Sequence, residues 1–251
     1  MATHRYRALV SSDWNQCLAP CGPFDFLAFT HPECAGLLDR VFRQYTGNEI
    51  SLGQAVNKVL SILPSPVSRA QMDAYLAERF AIYRGVAEFM AWCEKNDVLF
   101  MINTTGAVGY FQRACHAGMI PPVPVLSASP QFRFPSEGDL FHRFLPLYEV
   151  EDKAANTASV LKQTGIAAER AVLIGDSGGD GPHFGWGAKQ GATLVGSMTK
   201  PSLDDYCRRG GIRIHHRIGK TYRPGETLDP EQEMAVDFME LTEIVEAVLP
   251  F

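Results

Sequence analysis

RALVSSDWNQ, residues 7–16, is a short apolar run that ends directly in acidic and polar side chains. The apolar part, from Arg7 to Ser12, predicts a buried strand. Asp13 and Asn15 follow without a helix signal, so the pattern predicts a loop at the carboxyl end of this strand. In an open parallel α/β sheet, ligands collect at that end, because the loops and helix N-termini there offer unpaired N–H groups. Asp13 is therefore a candidate site residue.

Strand and helix patterns alternate along the chain after residue 85. Buried-strand patterns occur at Val98–Ile102, Val123–Ser127, Ala171–Ile174 and Thr193–Gly196. Amphipathic-helix patterns occur at Val86–Glu94, Tyr110–Ala117, Lys153–Thr164 and Phe238–Val248. This alternation predicts a Rossmann-like, three-layer α/β core around a parallel sheet. The segments 130–143 and 217–233 carry the weakest patterns and are rich in Pro, Gly and charge.

The region from residue 35 to 84 has apolar side chains at helical spacing and no strand pattern. A break at Gly47-Asn48 and a second break near residue 65 divide it into several helices. These features predict a helical insertion between the first strand and the rest of the core. We assign residues 1–20 and 83–251 to the α/β core and residues 21–82 to an inserted helical-bundle cap.

Three further stretches place polar residues where predicted strands end or helices begin. They are Asn103-Thr104-Thr105-Gly106, Lys153, and Gly175-Asp176-Ser177-Gly178-Gly179-Asp180. A carboxylate such as Asp13 can attack phosphorus and thereby split one difficult displacement into two easier steps. Because its negative charge repels a phosphate, a cation must offset it. Mg²⁺ prefers oxygen ligands, usually one or two carboxylates, and these stretches supply carboxylates at two predicted strand ends.

The four stretches, in this order, resemble the four-motif signature of the haloacid dehalogenase (HAD) superfamily. Further stretches resemble its phosphoserine phosphatase-like branch: Arg84-Gly85, TGAVGYF at residues 105–111 and AKQGATLVGSMTKPSLDDYC at residues 188–207. The resemblance covers most of the chain outside the insertion, whose place after the first motif matches the family's helical cap. It implies the HAD fold and the hydrolysis of phosphate monoesters through an aspartyl-phosphate intermediate.

The resemblance also implies a role for each motif residue. Asp13 corresponds to the nucleophile, and Lys153 would bring positive charge toward the phosphoryl oxygens. The expected phosphate-binding residues are Thr105, with Thr104 as the alternative, together with Gly106 and Lys153. The expected ligands of Mg²⁺ are the carboxylates of Asp13 and Asp176, the main-chain carbonyl of Asn15 and, through a bound water, Asp180.

Asn15 departs from the family pattern. Most phosphatases of this family carry an Asp there, which protonates the leaving group and then activates water. Asparagine cannot exchange a proton in the useful pH range, and such catalysis typically contributes about 10²- to 10⁴-fold. Three alternatives stay open: a proton supplied by the cap or a leaving group that needs none, a phosphonate or haloacid hydrolase, or a pseudoenzyme that binds a phosphorylated ligand. The retained Lys153, Asp176 and Asp180 favour phosphate chemistry.

Composition narrows the class of partner. The chain has 251 residues and a formal net charge of −5, with scattered lysines and arginines, which argues against nucleic acid. No apolar stretch approaches the roughly 20 residues that span a bilayer, and the polar N-terminus argues against a signal peptide. We therefore expect a cytoplasmic protein without a membrane partner, with reduced cysteines and a small phosphorylated metabolite as substrate. No pattern indicates an oligomeric state.

Overall fold

Seven parallel strands form one sheet in the computed structural model, which describes residues 6–46, 49–134 and 138–249. The strands are β1 Ala8–Ser12, β2 Val98–Ala107, β3 Val125–Ser129, β4 Arg143–Pro146, β5 Ala171–Gly175, β6 Thr193–Ser197 and β7 His216–Ile218. Their order across the sheet is β4-β3-β2-β1-β5-β6-β7, and every neighbouring pair is parallel. The predicted parallel sheet is therefore confirmed, with the opening stretch at its centre.

The central strand is buried on both faces, which explains its continuous apolar pattern. Successive side chains of a strand point to opposite faces. Ala8 and Val10 accordingly belong to one hydrophobic cluster, with Phe89 and Phe111. Leu9 belongs to a second cluster, built with side chains of other helices. The sheet thus lies between two helical layers, as the three-layer prediction requires.

Helices that follow the strands cover these two faces. They are α5 Val86–Lys95, α6 Val108–His116, α7 Asp152–Thr164, α8 Gly181–Gln190, α9 Pro201–Gly210, α10 Pro230–Ala235 and α11 Leu241–Glu246. Val86, Phe111 and Val245 place α5, α6 and α11 on the first cluster. Val160 and Phe184 place α7 and α8 on the second. None of the helices in the described ranges is long and apolar enough to cross a membrane.

Four helices lie between β1 and α5, where the sequence predicts the insertion. They are α1 Asp25–Thr30, α2 Ala35–Thr46, α3 Leu52–Ile62 and α4 Arg69–Arg79. Ser51 and Ser68 begin α3 and α4 with capping boxes, in which the serine hydroxyl and a glutamine three residues later satisfy exposed backbone N–H groups. The break expected at Gly47-Asn48 lies outside the described residues. The division into a core and a cap at residues 21–82 stays a prediction.

Several element boundaries and two strands differ from the sequence prediction. β2 continues five residues beyond the expected end at Ile102. β3 begins and ends two residues later than expected, and α6 begins two residues earlier. The closing helix begins as a 3₁₀ turn before α11. β4 and β7 lacked a sequence signal because they are short edge strands with partly exposed side chains, so their hydrophobic pattern is weak. All six cysteines are buried and free, which agrees with the prediction that none is disulfide-bonded.

Candidate active site

Asp13 and Asp176 lie side by side at the carboxyl ends of the two central strands. Ser12, the last residue of β1, pairs with Ile174 of β5, and the Asp13 N–H donates to the Ile174 carbonyl at 3.0 Å. Asp176 directly follows Gly175, at which β5 ends. Parallel register therefore brings the two carboxylates together although they are far apart in sequence.

Asp180 returns to the same edge through the turn formed by Gly178 and Gly179. Its Oδ2 accepts hydrogen bonds from the N–H groups of Asp176 at 2.9 Å and of Ser177 at 3.3 Å. Gly175 makes room for this return, since a Cβ there would lie 2.5 Å from Asp180 Cγ. Asp180 therefore braces the turn that carries Asp176. The described residues include one acidic group that could hold a metal ion: oxygens of Asp13, Asp176 and Asp180 within 4.8 Å of one another.

Lys153 neutralises part of this acidic cluster from the first turn of α7. Its Nζ lies 3.0 Å from Asp13 Oδ2 and 2.6 Å from Asp180 Oδ1, and the side chain is fully buried. Burial opposes the charge of this ammonium group, but Asp13 and Asp180 outweigh burial and raise the pKa of Lys153. Burial raises the pKa of Asp13, and Lys153 counteracts the shift. The lysine is thus a permanent cation beside the candidate nucleophile.

A buried polar network fixes the position of Lys153. Asn103 Nδ2 donates to the Lys153 main-chain carbonyl at 2.9 Å and lies 3.1 Å from Ser11 Oγ. Thr157 donates to the same carbonyl at 2.9 Å, and its hydroxyl lies 3.0 Å from His183 Nε2. Burial and the nearby Lys153 charge lower the pKa of His183 to about 3, so this ring is neutral. The network joins the start of α7 to β1 and β2.

An irregularity in the pairing of β2 with β3 places Thr104 and Thr105 in different environments. Asn103 pairs with Ser127 and Ala107 with Ser129, so β2 has two extra residues relative to β3. Thr104 is buried, and its hydroxyl donates to Asn15 Oδ1 at 3.1 Å and accepts from the Gly106 N–H at 3.2 Å. Thr105 lines the cavity in front of Asp13.

Both the oxygen and the nitrogen of the Asn15 side-chain amide are hydrogen-bonded. Its Oδ1 accepts from Thr104, and its Nδ2 donates to the Cys21 carbonyl at 3.3 Å. The side chain still lines the cavity beside Asp13. Asn15 therefore ties the loop after β1 to β2 and to residue 21, whereas the family pattern places a proton donor there.

A cavity of about 700 Å³ opens in front of these groups. Asp13, Thr105, Lys153 and Asp176 line it from the sheet edge. The insertion also lines the cavity through α2, the start of α3 and the segment between them, with Phe42, Tyr45, Thr46, Glu49, Ile50, Ser51 and Leu52. Of the predicted site residues, Thr104, Gly106 and Asp180 do not line this cavity. They instead support residues that do.

The acidic cluster fits a hard divalent cation, because its donors are carboxylate oxygens held close together in a buried, electronegative setting. The pKa of Asp176 reflects its burial and the repulsion among these carboxylates. Its burial, with the neighbouring Asp180 and Asp13, raises its pKa to about 7, although Lys200 acts in the opposite direction. A bound cation would relieve the repulsion among the three carboxylates.

Solved structures share this architecture. A substrate-bound phosphoserine phosphatase complex matches with a TM-score of 0.68 at 12% identity, over 95% of this chain and 98% of that chain. A phospho-aspartyl intermediate analogue of phosphoserine phosphatase matches with a TM-score of 0.67 at 13% identity, over 95% and 99%. The chain has a phosphoserine phosphatase-like HAD fold. A HAD family hydrolase from Salmonella enterica subsp. enterica serovar Typhi also shares it, with a TM-score of 0.68 at 14% identity, over 96% and 72%.

These solved structures share the HAD fold with the chain although their sequence identity to it is low. No protein-family model and no curated protein sequence matches the chain. The fold agrees with the resemblance that the four motifs suggested, whereas the individual site roles rest on the geometry described above.

Sequence reasoning missed Lys200, which contacts the acidic cluster. Its Nζ lies 2.6 Å from Asp176 Oδ2 and also hydrogen-bonds to Gln16 Oε1, and its N–H donates to the Asp176 carbonyl at 2.8 Å. Lys200 follows the carboxyl end of β6. A position just after a strand end is the same feature that made Asp13 and Asp176 candidate site residues, and Lys200 shares it.

Tyr45 was interpreted only as part of an apolar helix face. It lies in the last turn of α2 and lines the cavity together with Thr105. No sequence signal separates it from the packing residues Leu38 and Val41 on the same helix, because all three fit the same helical spacing.

Proposed function

We propose that this protein is a magnesium-dependent hydrolase of small phosphate monoesters that works through an aspartyl phosphate on Asp13. The observation that carries the proposal is the pairing of the buried Asp13 carboxylate with Lys153, beside two further carboxylates at one sheet edge. A lone buried carboxylate would be protonated and a poor nucleophile. The fixed cation at 3.0 Å favours its charged form.

In the first step an Asp13 carboxylate oxygen attacks phosphorus, and the bond from phosphorus to the leaving oxygen breaks. Lys153 and the Thr105 hydroxyl donate toward the equatorial phosphoryl oxygens, where negative charge is carried through the transition state. Water then attacks phosphorus and releases inorganic phosphate and the free Asp13 carboxylate. The hydrogen bond from the Trp14 N–H to Asp13 Oδ1, at 2.6 Å, orients the carboxylate for this step.

Asp13, Asp176 and the main-chain carbonyl of Asn15 would hold Mg²⁺, with Asp180 supporting the site through its contacts to the Asp176 turn. When bound, the ion offsets the repulsion between the carboxylates and the incoming phosphate. The structure that is described as a phospho-aspartyl intermediate analogue of phosphoserine phosphatase supports this choice of chemistry, since its fold is shared.

The size of the cavity favours a small substrate. Its volume of about 700 Å³ lies in the range of small-molecule sites, and the inserted helices line one side of it. Phosphorylated metabolites fit such a space, whereas a folded macromolecule would have to leave its bulk outside.

The central experiment is a magnesium titration of the purified protein with 4-nitrophenyl phosphate as substrate. We expect Mg²⁺ to bind and to support hydrolysis. The variant Asp13→Asn should retain the fold and lose turnover, and a phosphoenzyme that is trapped with labelled substrate in the wild type should be missing. Hydrolysis at the wild-type rate by Asp13→Asn would refute the nucleophile.

The titration also separates the alternatives raised by Asn15. Phosphate-ester binding with no turnover, at any Mg²⁺ concentration, would favour a pseudoenzyme. Metal-independent release of halide from a haloacid would favour a dehalogenase, and release of phosphate only from a phosphonate would favour a phosphonate hydrolase.

A further inference from the structure

Asn15 leaves the proposed reaction without an obvious proton donor for the leaving oxygen. The amide has no acidic proton, and both its ends are engaged by Thr104 and the Cys21 carbonyl. An aliphatic leaving group departs as an alkoxide unless a proton reaches it, and general acid catalysis typically supplies about 10²- to 10⁴-fold. A donor from another part of the cavity would restore this contribution. The inference below rests on the proposed phosphatase function.

The donor should face Asp13 across the cavity. In phosphoryl transfer the attacking and leaving oxygens lie roughly in line on opposite sides of phosphorus. Asp13 attacks from the sheet edge, so the leaving oxygen points away from that edge. α2, which lies outside the sheet that carries Asp13, contributes Phe42 and Tyr45 to the lining of the same cavity.

Most other proton-bearing groups of the cavity are already committed. Lys153 Nζ is paired with Asp13 and Asp180, and Lys200 Nζ is paired with Asp176. Glu149 Oε1 accepts from the Ser51 hydroxyl at 2.8 Å and the Gly53 N–H at 3.1 Å, which holds this carboxylate at the start of α3.

The remaining carboxylates and the second tyrosine are less well placed. Glu49 and Glu151 line the cavity but are exposed to solvent. The Tyr206 ring packs against Gly181, with its hydroxyl directed toward Gly185. These positions lie along α8 and not beside Thr105.

Tyr45 meets the requirements of position and chemistry. Its hydroxyl would lie 3.6 Å from a Cβ at Gly179, within the turn that carries Asp176 and Asp180. The half-buried side chain lines the same cavity as Asp13 and Thr105. The phenol of Tyr45 therefore reaches from α2 to the edge where the phosphoryl group would be held.

We propose that Tyr45 is the general acid of this protein and replaces the acid that is missing at Asn15. As the bond between phosphorus and the leaving oxygen breaks, the Tyr45 hydroxyl gives its proton to that oxygen, so the product leaves as a neutral alcohol. The tyrosinate then accepts a proton from the water that attacks the aspartyl phosphate. The cycle returns Tyr45 to its protonated form and consumes one water.

The environment of Tyr45 keeps the proton on the phenol in the resting protein. Burial raises its pKa to about 12, while the nearby Lys153 and Thr105 act in the opposite direction. A phenol of this kind remains more acidic than an aliphatic alcohol, so proton transfer to a departing alkoxide is downhill.

The test uses leaving groups of graded acidity. We would measure kcat/KM with saturating Mg²⁺ for 4-nitrophenyl phosphate, phenyl phosphate and the alkyl ester ethyl phosphate, with the wild type and Tyr45→Phe. If Tyr45 is the acid, the variant should lose at least about 10²-fold for ethyl phosphate, whose leaving group is an alkoxide. It should lose only a few-fold for 4-nitrophenyl phosphate, whose leaving group departs without a proton.

Two matched variants sharpen the result. Tyr148→Phe removes the same hydroxyl from an exposed tyrosine and should reproduce the wild-type dependence on leaving group. Asn15→Asp in the Tyr45→Phe background restores an acid at the family position and should recover turnover of ethyl phosphate.

The possible failures are distinguishable. An equal loss across the whole series would make Tyr45 a binding or positioning residue, and no loss would remove it from the reaction. Either result overturns this inference and leaves the phosphatase intact. A wild type that hydrolyses none of the phosphates would overturn the proposed function and this inference together, provided that circular dichroism shows a folded protein.

Discussion

The two sides of the cavity are built in opposite ways. The sheet edge carries the acidic cluster of Asp13, Asp176 and Asp180, which is buried and held by Lys153 and Lys200. The helical side, defined as the residues of α2, the start of α3 and the segment between them that line the cavity, combines apolar and polar side chains and is partly exposed. Tyr45, Thr46, Glu49 and Ser51 are its polar members.

This difference indicates that the two sides of the cavity have different roles. Buried charges can be held near one another only if the backbone fixes them and counter-ions compensate them, so the sheet edge provides rigid electrostatics. The fold depends less on the side chains of the helical side, which can therefore vary. We expect the reaction type to depend on the sheet edge, and substrate choice and proton supply to depend on the helical side.

The largest expected effect comes from removing the cation at the sheet edge with Lys153→Met. Asp13 and Asp180 would then be buried without their partner, which should cost about 3 to 5 kcal/mol of unfolding free energy. Turnover should fall at least about 10²-fold because the transition-state charge loses a donor. Chemical denaturation and steady-state kinetics measure the two effects. Lys162→Met, an exposed lysine of the same helix, is the control, and equal behaviour of the two variants would contradict the electrostatic role.

A smaller effect is expected from Lys200→Met, which removes the cation from Asp176. A lysine at 2.6 Å repels a divalent ion bound by the same carboxylate. The variant should therefore bind Mg²⁺ more tightly, by about tenfold, when titrated calorimetrically at pH 8 without substrate. Lys220→Met removes a lysine that is paired with Glu226 elsewhere and should leave the affinity unchanged. Weaker binding in Lys200→Met would instead mean that Lys200 orients Asp176 for the ion.

The smallest effect is expected where the two sides are joined. Glu149 precedes α7 and accepts from Ser51 and Gly53 at the start of α3. Glu149→Ala should cost about 1 kcal/mol, as for other caps, and lower the Tm by about 2 to 4 °C. The exposed neighbour Glu151→Ala provides the comparison in the same thermal scan. A Tm unchanged in Glu149→Ala would show that this contact does not hold α3 against the core.

The sequence predicted the sheet and most of its helices because their signals are local. A buried parallel strand such as Ala171–Gly175 is continuously apolar, and amphipathic helices such as Ala35–Thr46 repeat at 3.6 residues. β4 and β7 escaped prediction because short edge strands expose most of their side chains. The ends of β2 and α6 were misjudged because the irregularity after Asn103 is set by pairing with β3.

The sequence by itself determined the motif residues Asp13, Lys153, Asp176 and Asp180, because each stands near the end of a predicted strand or at the start of a predicted helix, and it left Thr104 and Thr105 as alternatives. Only the tertiary structure decided their partners. Parallel pairing of β1 with β5 brings Asp13 to Asp176, the irregularity in β2 sends Thr104 inward and Thr105 to the cavity, and α2 carries Tyr45 to the cavity that Thr105 lines. Distances between residues far apart in the chain follow from packing, and packing has no local signature in the sequence.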